Sequence, residues 1–478
     1  MTREVDVLIL GGGPGGYVAA LRLGQLGRKP FLVEKEELGG ECLNRGCIPS
    51  KALIHTSELY DEVRRSGAEM GLAAPAPTLD LPATQRWRES ILEKERKGIE
   101  TLLRAAGASW VRATGRLTGP NSALLEGKEL PGGREEVTFQ ACILATGAYH
   151  LSLPGFEPDG KRVLTAKDLL LLQAVPSRLV VLGGGVSGVE LGEHYARLGS
   201  QVVVVEMMPQ LVPGLDADLS QELRRSLERR GVVVHTESRA ESLERKENGI
   251  VLHAKTPQGP ASLEGDLLFL TVGKRPETRG LGLETAGVKL AERGGFVAVD
   301  DRMATNVPGI YAVGDLARPP MVAHKAYREG RVAAEVIAGS PSSWSHQAVP
   351  SVVYTDPELA TVGLTLPQAR EQGLTAREVK FPYAALGRAH ASHATQGFVK
   401  LLAEEGSGLV LGAHAAGHVS GEFVSEVAFA IEMGATVRDL AGTIHPHPTF
   451  AELLQEVAML WLGEPMHVAL PPSAHGRR

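Results

Sequence analysis

Two cysteines, Cys42 and Cys47, stand with four residues between them in GGECLNRGCIPSKAL at 39–53, and the 478-residue chain holds only three cysteines. Thiols this close can cycle between dithiol and disulfide, or share a soft metal ion. A zinc site would need two further ligands, and Cys142 has no paired partner to offer a second half-site. Spacing alone does not make a disulfide. On a regular helix, residues five apart have Cα atoms about 8–9 Å apart, beyond the ~7 Å that a disulfide spans. The chain must therefore bend between the two, and Gly46 permits the bend. Pro49 suits the first turn of a helix running through Lys51 to Val63, whose N-terminal dipole would favour a thiolate. The pattern points to a redox-active dithiol and to no metal. Cys142, in the apolar run ACILATG, reads as a buried strand residue.

A second chemistry is written in glycine. The pattern G-x-G-x-x-G occurs at Gly11, Gly13, Gly16 and again at Gly183, Gly185, Gly188. The first glycine makes a tight turn, the second lets backbone approach a pyrophosphate, and the third lets helix pack on strand, while the helix N-terminus favours negative charge. Each match follows an apolar run and opens a helical pattern, and an acidic residue, Glu34 or Glu206, lies 18 positions after the last glycine. That is where an acceptor for a ribose hydroxyl belongs. A carboxylate accepts from a 2′-hydroxyl and repels a 2′-phosphate, and MMPQL at 207–211 supplies no arginine. The second motif is therefore expected to take NAD rather than NADP.

The elements that must position these residues repeat. Gly11, Gly27 and Glu34 recur as Gly183, Gly199 and Glu206 at a constant offset of 172, so the strand, turn, helix and strand are an internal duplication. Both copies continue to an apolar strand running into glycine, ILATGA at 143–148 and LFLTVGK at 268–274, and a third such segment, GIYAVGD at 309–315, follows the second copy. The second copy is thus expected to be inserted in the first. From about Gln347 the character changes: PSVVYTDPELATVGL and GFVKLLAEEGSGLVLGAHAAG read as strands between turns, and EFVSEVAFAIEMG and FAELLQEVAMLWLG carry helical spacing. The fold class is α/β, with two Rossmann-like dinucleotide-binding domains and a further C-terminal α/β domain. The expected boundaries are 1–149, 150–275, 276–346 and 347–478, and the tail PPSAHGRR is expected to be disordered. A net charge of −6, from 50 basic and 56 acidic residues without a basic run, argues against nucleic acid. No run of 18 apolar residues and no leader-like start occur, so no membrane association and a cytoplasmic location are expected.

The cysteine segment between the two fingerprints resembles that of the flavin-dependent pyridine nucleotide–disulfide oxidoreductases, and the resemblance covers nearly the whole chain. It implies that Gly11, Gly13, Gly16 and Glu34 hold FAD, that Gly183, Gly185, Gly188 and Glu206 hold NAD, and that the dithiol lies against the flavin. Cys47 would be the thiol nearest the flavin and Cys42 the one exchanging with substrate. Lys51 and Glu190 match a family ion pair near the flavin. Gly115, Thr146, Gly147, Ala148, Asp315, Met321, Ala323 and His324 match FAD contacts, and Gly273 in VGKRP matches a glycine on the nucleotide side.

In HPHPTFAELLQE at 445–456, His447 and Glu452 resemble the catalytic pair of the family's interface domain, where the histidine reaches the dithiol of the other subunit of a homodimer. A histidine near neutrality can take a thiol proton, and a carboxylate orients the imidazole. His445 carries no such match and reads as structural, and by resemblance Pro448 follows a cis bond. Together with Glu206, the segment is most similar to the members that oxidise dihydrolipoyl groups. These take a lipoyl domain as substrate and dock on the acyltransferase core of a 2-oxoacid dehydrogenase complex, or serve the glycine cleavage system. Two alternatives stay open: an NADH-dependent reductase of another disulfide, and a redox-silent flavoprotein subunit retained for assembly. Glu41 and Arg45 depart from the family, whose members carry small or apolar residues there, and put charge beside the dithiol.

Overall fold

The computed structural model of the protein describes residues 2–65, 67, 69–72, 77–346 and 348–470. The tail at 471–478 and the expected boundary residue Gln347 lie outside them. The chain divides into two compact units, one formed by Met1–Val175 with Phe269–Ser345, the other by Pro176–Leu268 with His346–Arg478.

The first unit opens with strand β1 (Arg3–Leu10), helix α1 (Pro14–Gln25) and strand β2 (Pro30–Glu34). The cysteine segment forms two helices, α2 (Gly40–Arg45) and α3 (Cys47–Arg65), followed by the long helix α4 (Leu81–Ala105). Strands β3 (Ser109–Arg112), β4 (Thr114–Gly119), β5 (Ser122–Glu126) and β6 (Arg134–Leu144) complete a sheet in the order β3-β2-β1-β6-β5-β4, and Ile310–Ala312 also pairs with β6. Pairing among β3, β2, β1 and β6 is parallel, and β4 and β5 fold back antiparallel. The second half of β1, Val7–Leu10, is apolar without alternation because both its faces are covered. Leu8 and Leu10 enter one core, and Val7 and Ile9 enter another with Ala19, Ala20 and Leu23 of α1 and Val332 and Ala333 of the helix Ala323–Ile337. Each of the buried leucine, isoleucine and valine side chains among these stabilises the sheet by about 1.5–3 kcal/mol, and each alanine methyl by less. The helix Ala323–Ile337 crosses α1 at two glycines, where a Cβ on Gly330 would lie 2.3 Å from the Gly15 carbonyl oxygen.

Strand β7 (Ala148–His150) pairs antiparallel with Lys274–Pro276, so His150 stands directly opposite Lys274. This two-stranded ribbon is small, but it brings two segments more than a hundred residues apart beside the dithiol.

In the second unit, Arg178–Leu182, Gln201–Val205 and Val233–His235 form parallel strands, with the helix Val186–Arg197 after the first. The C-terminal part is a five-stranded sheet ordered Ser351–Val353, Glu358–Gly363, Val410–Gly417, Phe398–Glu404, Ala376–Pro382, with the helices Ser420–Glu432 and Glu452–Leu462 contributing Val427, Leu453, Leu454 and Val457 to its core. The two parts of this unit are tied by charge. Arg230 pairs with Asp356, and Lys400, buried on the C-terminal sheet, pairs with Asp216 and with Asp218 at 3.1 Å.

Candidate active site and cofactor cradles

Each fingerprint builds the same turn. Gly11 and Gly183 have φ of 109° and 114°, a region that favours glycine, and their N–H groups donate to Val33 and Val205 at 2.8 and 2.9 Å. The acidic residue closes the turn: Glu34 Oε2 accepts from Gly12 N at 2.6 Å, and Glu206 Oε2 accepts from Gly184 N at 2.6 Å. Both carboxylates are buried, so neither is a solvated strand end. Gly13 and Gly185 are the N-caps of their helices, with no side-chain cap and no acid in the first turn. The first helical N–H groups and the positive dipole end are thus open to an anion. A Cβ on Gly185 would meet nothing within 4 Å, and one on Gly13 nothing nearer than Gly40 Cα at 3.8 Å. Gly16 is different, because a Cβ there would lie 1.8 Å from the Gly11 carbonyl oxygen. Gly188 is buried in its helix. Turn, open glycine and carboxylate form a cradle that fits a dinucleotide at both places.

The remaining expected FAD contacts all lie in the first unit. Gly115 sits in β4. Thr146 Oγ1 donates to Glu277 O at 2.9 Å, the Gly147 carbonyl accepts from Glu277 N at 2.9 Å, and Ala148 begins β7. Asp315 lies in a short turn whose Gly314 N donates to the fully buried Glu329 at 2.7 Å, and burial raises the Asp315 carboxyl against the charges of Lys274 and Lys325. Met321 precedes the helix Ala323–Ile337, which Ala323 and His324 open. Gly273, with φ of 117°, accepts from Leu151 N at 3.0 Å.

The dithiol sits where α2 gives way to α3. Helix α2 ends at Arg45 and α3 begins at Cys47, so Gly46 makes the bend that the spacing demanded. Asn44 Nδ2 donates to Leu38 O and Gly40 O at 3.0 and 2.9 Å and is held from α4 by Arg96 at 3.1 Å, which fixes α2 in place. Cys42 and Cys47 are free thiols hydrogen-bonded to each other. The bond from Cys42, opposed by burial and assisted by the charges of Lys51 and Lys274, holds the Cys47 thiol down to about 7, while the same bond and burial raise Cys42. This is the asymmetry of a dithiol in which one sulfur carries the charge. Burial raises Cys142, which is fully enclosed in β6 and takes no part.

In the second unit, His447 Nδ1 bonds Glu452 Oε1 at 2.8 Å, and Glu452 Oε2 accepts from Thr449 N at 2.7 Å. The carboxylate thus orients the ring while His447 keeps 77% of its side-chain surface exposed and its Nε2 free to face a substrate. The His447–Pro448 bond is cis. His445 instead bonds Glu426 at 3.0 Å, with a side chain only 3% exposed. Glu190 is buried and accepts from Tyr354 N at 2.9 Å. Glu190 and Lys51 belong to different units, so their pairing rests on the resemblance alone.

Sequence reasoning missed four residues beside the dithiol. Glu41 Oε1 accepts from both His150 Nε2 at 2.8 Å and Lys274 Nζ at 2.7 Å. Tyr17 and Tyr327 meet edge to face, with centroids 6.1 Å apart and hydroxyls hydrogen-bonded, and both lie within electrostatic reach of the dithiol. Lys274 had one available signal, its place next to Gly273. Arg45, the other departure, pairs with Glu36.

Comparison with known proteins agrees with this geometry. Residues 5–330 match the family model described as pyridine nucleotide-disulphide oxidoreductase, and residues 349–458 match its dimerisation domain. The chain is 43% identical over 470 residues to a dihydrolipoyl dehydrogenase of Thermus scotoductus, covering 98% of this chain and 99% of the relative. It is 41% identical over 466 residues to one of Bacillus subtilis, covering 97% and 98%. Among solved structures it is similar to LpdA from Mycobacterium tuberculosis, with a TM-score of 0.88, 30% identity, and 96% and 99% of the two chains covered.

Proposed function

The chain belongs to the pyridine nucleotide-disulphide oxidoreductase family, and from that premise we propose that it is a dihydrolipoyl dehydrogenase, oxidising dihydrolipoyl groups with reduction of NAD. It is an enzyme with FAD and NAD as cofactors. We assign FAD to 1–149 and 276–346, NAD to 150–275, and subunit contact to 347–478. The observation that carries the reading is the polarised dithiol, with Cys47 held near 7, in a chain that matches dihydrolipoyl dehydrogenases along almost its full length.

The residues divide the chemistry as follows. His447, its ring oriented by Glu452, takes the proton from one dihydrolipoyl thiol. The resulting thiolate attacks Cys42 Sγ in the oxidised Cys42–Cys47 bond, forming a mixed disulfide and releasing Cys47 as a thiolate, which Lys51 and Lys274 stabilise. The second dihydrolipoyl sulfur then attacks the substrate sulfur bound to Cys42, closing the lipoyl disulfide. Cys42 leaves and takes up the proton of that second thiol, while His447 keeps the first as an imidazolium, so two electrons now reside in the enzyme dithiol. Gly11, Gly13, Gly16 and Glu34 would hold FAD, which when bound would supply a two-electron acceptor for the dithiol and a hydride donor for NAD. Gly13 and Gly185, with their open helix ends, receive the pyrophosphates, and Glu34 and Glu206 orient the adenosine riboses.

The dimerisation-domain match supports a homodimer, in which His447 serves the dithiol of the other subunit. A lipoyl domain is the substrate and an acyltransferase core the docking partner in this proposal. Among the described residues no helix is long and apolar enough to cross a membrane; the cytoplasm as its place of work is part of the proposal. The test is NADH formation by the purified yellow protein given dihydrolipoamide, with NADP and a Cys42→Ser variant alongside. Rapid NADH formation, lost in the variant and absent with NADP, is expected. NADH-driven reduction of another disulfide, with lipoamide inert, would overturn the substrate.

A further inference from the structure

Glu41 immediately precedes Cys42, and its carboxylate is not an idle surface charge. One oxygen receives both Lys274 Nζ at 2.7 Å and His150 Nε2 at 2.8 Å. Those donors lie directly opposite each other in the antiparallel ribbon of β7 with Lys274–Pro276, and opposite residues project on the same face. The ribbon register therefore aims an ammonium and an imidazole together at the residue that precedes Cys42. All three side chains are about 27–31% exposed, shielded enough for their charges to be felt locally.

We propose that Lys274, tethered by Glu41 and steadied by His150, is a positioning residue that supplies a second cation, beside Lys51, against which negative charge accumulates on the reduced Cys42–Cys47 dithiol. Lys51 on α3 and Lys274 on the ribbon act on Cys47, and Tyr17 on α1 and Tyr327 on the helix Ala323–Ile337 interact with the dithiol; Glu41 on α2 and Asp315 in its turn face Lys274, and Glu95 on α4 faces the two tyrosines. Lys51 and Lys274 are the cations among them. Burial opposes ionisation of Glu41, but the His150 bond and the Lys274 charge outweigh it and hold the carboxyl at about 2. Burial likewise opposes the charge on Lys274, and Glu41 more than offsets it. The tether is thus ionised throughout the neutral range, and the Lys274 charge reaches Cys47.

The proposal rests on the dithiol being redox-active, as the functional reading holds, and its test does not depend on the substrate. The reduced holoenzyme is alkylated with iodoacetamide across pH, and modification of the 39–53 segment is followed by mass. Cys142, fully buried, does not compete. Replacing Lys274 by Met removes the charge at similar length, and the alkylation midpoint is expected to rise by about one pH unit. Lys274→Arg is expected to restore the parental midpoint, because charge rather than shape is what acts. Should Lys274→Met lose its flavin, Lys274→Gln gives the same reading. A midpoint unchanged in Lys274→Met or Lys274→Gln, or an equal rise in Lys274→Arg, overturns the role of Lys274. Midpoint shifts as expected in the variants, with a parent protein that turns over no dihydrolipoamide, would instead overturn the substrate assignment alone.

Discussion

Replacing Gly185 by alanine separates a glycine required by the ligand from one required by the fold. Its φ of −73° and ψ of −178° are extended backbone that alanine adopts freely, and its new Cβ would meet no atom within 4 Å. Alanine restricts the unfolded chain, stabilising by about 0.4–1 kcal/mol, but is a poorer N-cap than glycine by a similar amount. The melting temperature should therefore stay within about 2 °C of the parent. The open space is where the fingerprint brings backbone against the pyrophosphate, so a methyl there crowds the ligand. Overpacking of this kind costs about 1–3 kcal/mol, which converts to a rise in KM for NAD of about 5- to 140-fold. Steady-state kinetics with NAD varied at saturating dihydrolipoamide, alongside thermal unfolding, measure both terms. An unchanged KM with an unchanged melting temperature would refute the placement of the pyrophosphate at Gly185.

Gly16→Ala should do the opposite, destabilising the protein by about 3 kcal/mol and lowering flavin content, since its Cβ would lie 1.8 Å from the Gly11 carbonyl oxygen. Parental flavin content and melting temperature would contradict the close packing. Glu452→Gln keeps an acceptor for the His447 ring but removes the charge that stabilises the imidazolium. Turnover with dihydrolipoamide should fall about 10²-fold with little change in NAD affinity, and a parental rate would remove Glu452 from the chemistry. The parental enzyme carries its own pH signature. The Cys47 thiol is depressed from 9.0 to about 7, so its thiolate is present above that pH and lost as pH falls through it. Alkylation of the reduced dithiol should be half-maximal near pH 7, and a midpoint near 9 would show that the cations and the Cys42 bond do not act on Cys47.

What the sequence determined by itself is what short-range chemistry dictates. The His447–Glu452 pair was legible only through the resemblance of its segment to the family's, but the turns at Gly11 and Gly183, the carboxylates at Glu34 and Glu206 and the bend at Gly46 all lie within segments of a few to some two dozen residues. Their backbone conformation and spacing follow from residue type, and the 172-residue repeat made the duplicated plan legible before any coordinates. Return of the chain to the first sheet at Ile310–Ala312 was readable for the same reason, a strand running into glycine. Tertiary structure alone decided how Glu41 is used. The sequence marked it as an odd charge beside the dithiol, but its partners lie 109 and 233 residues away, and they converge only because β7 pairs with Lys274–Pro276 in one register. The grouping of Pro176–Leu268 with the C-terminal sheet was likewise hidden, since it depends on ion pairs such as Lys400 with Asp216 and Arg230 with Asp356 that carry no local periodicity. A charged side chain has no preferred partner until the fold brings an opposite charge within reach and shields both from water.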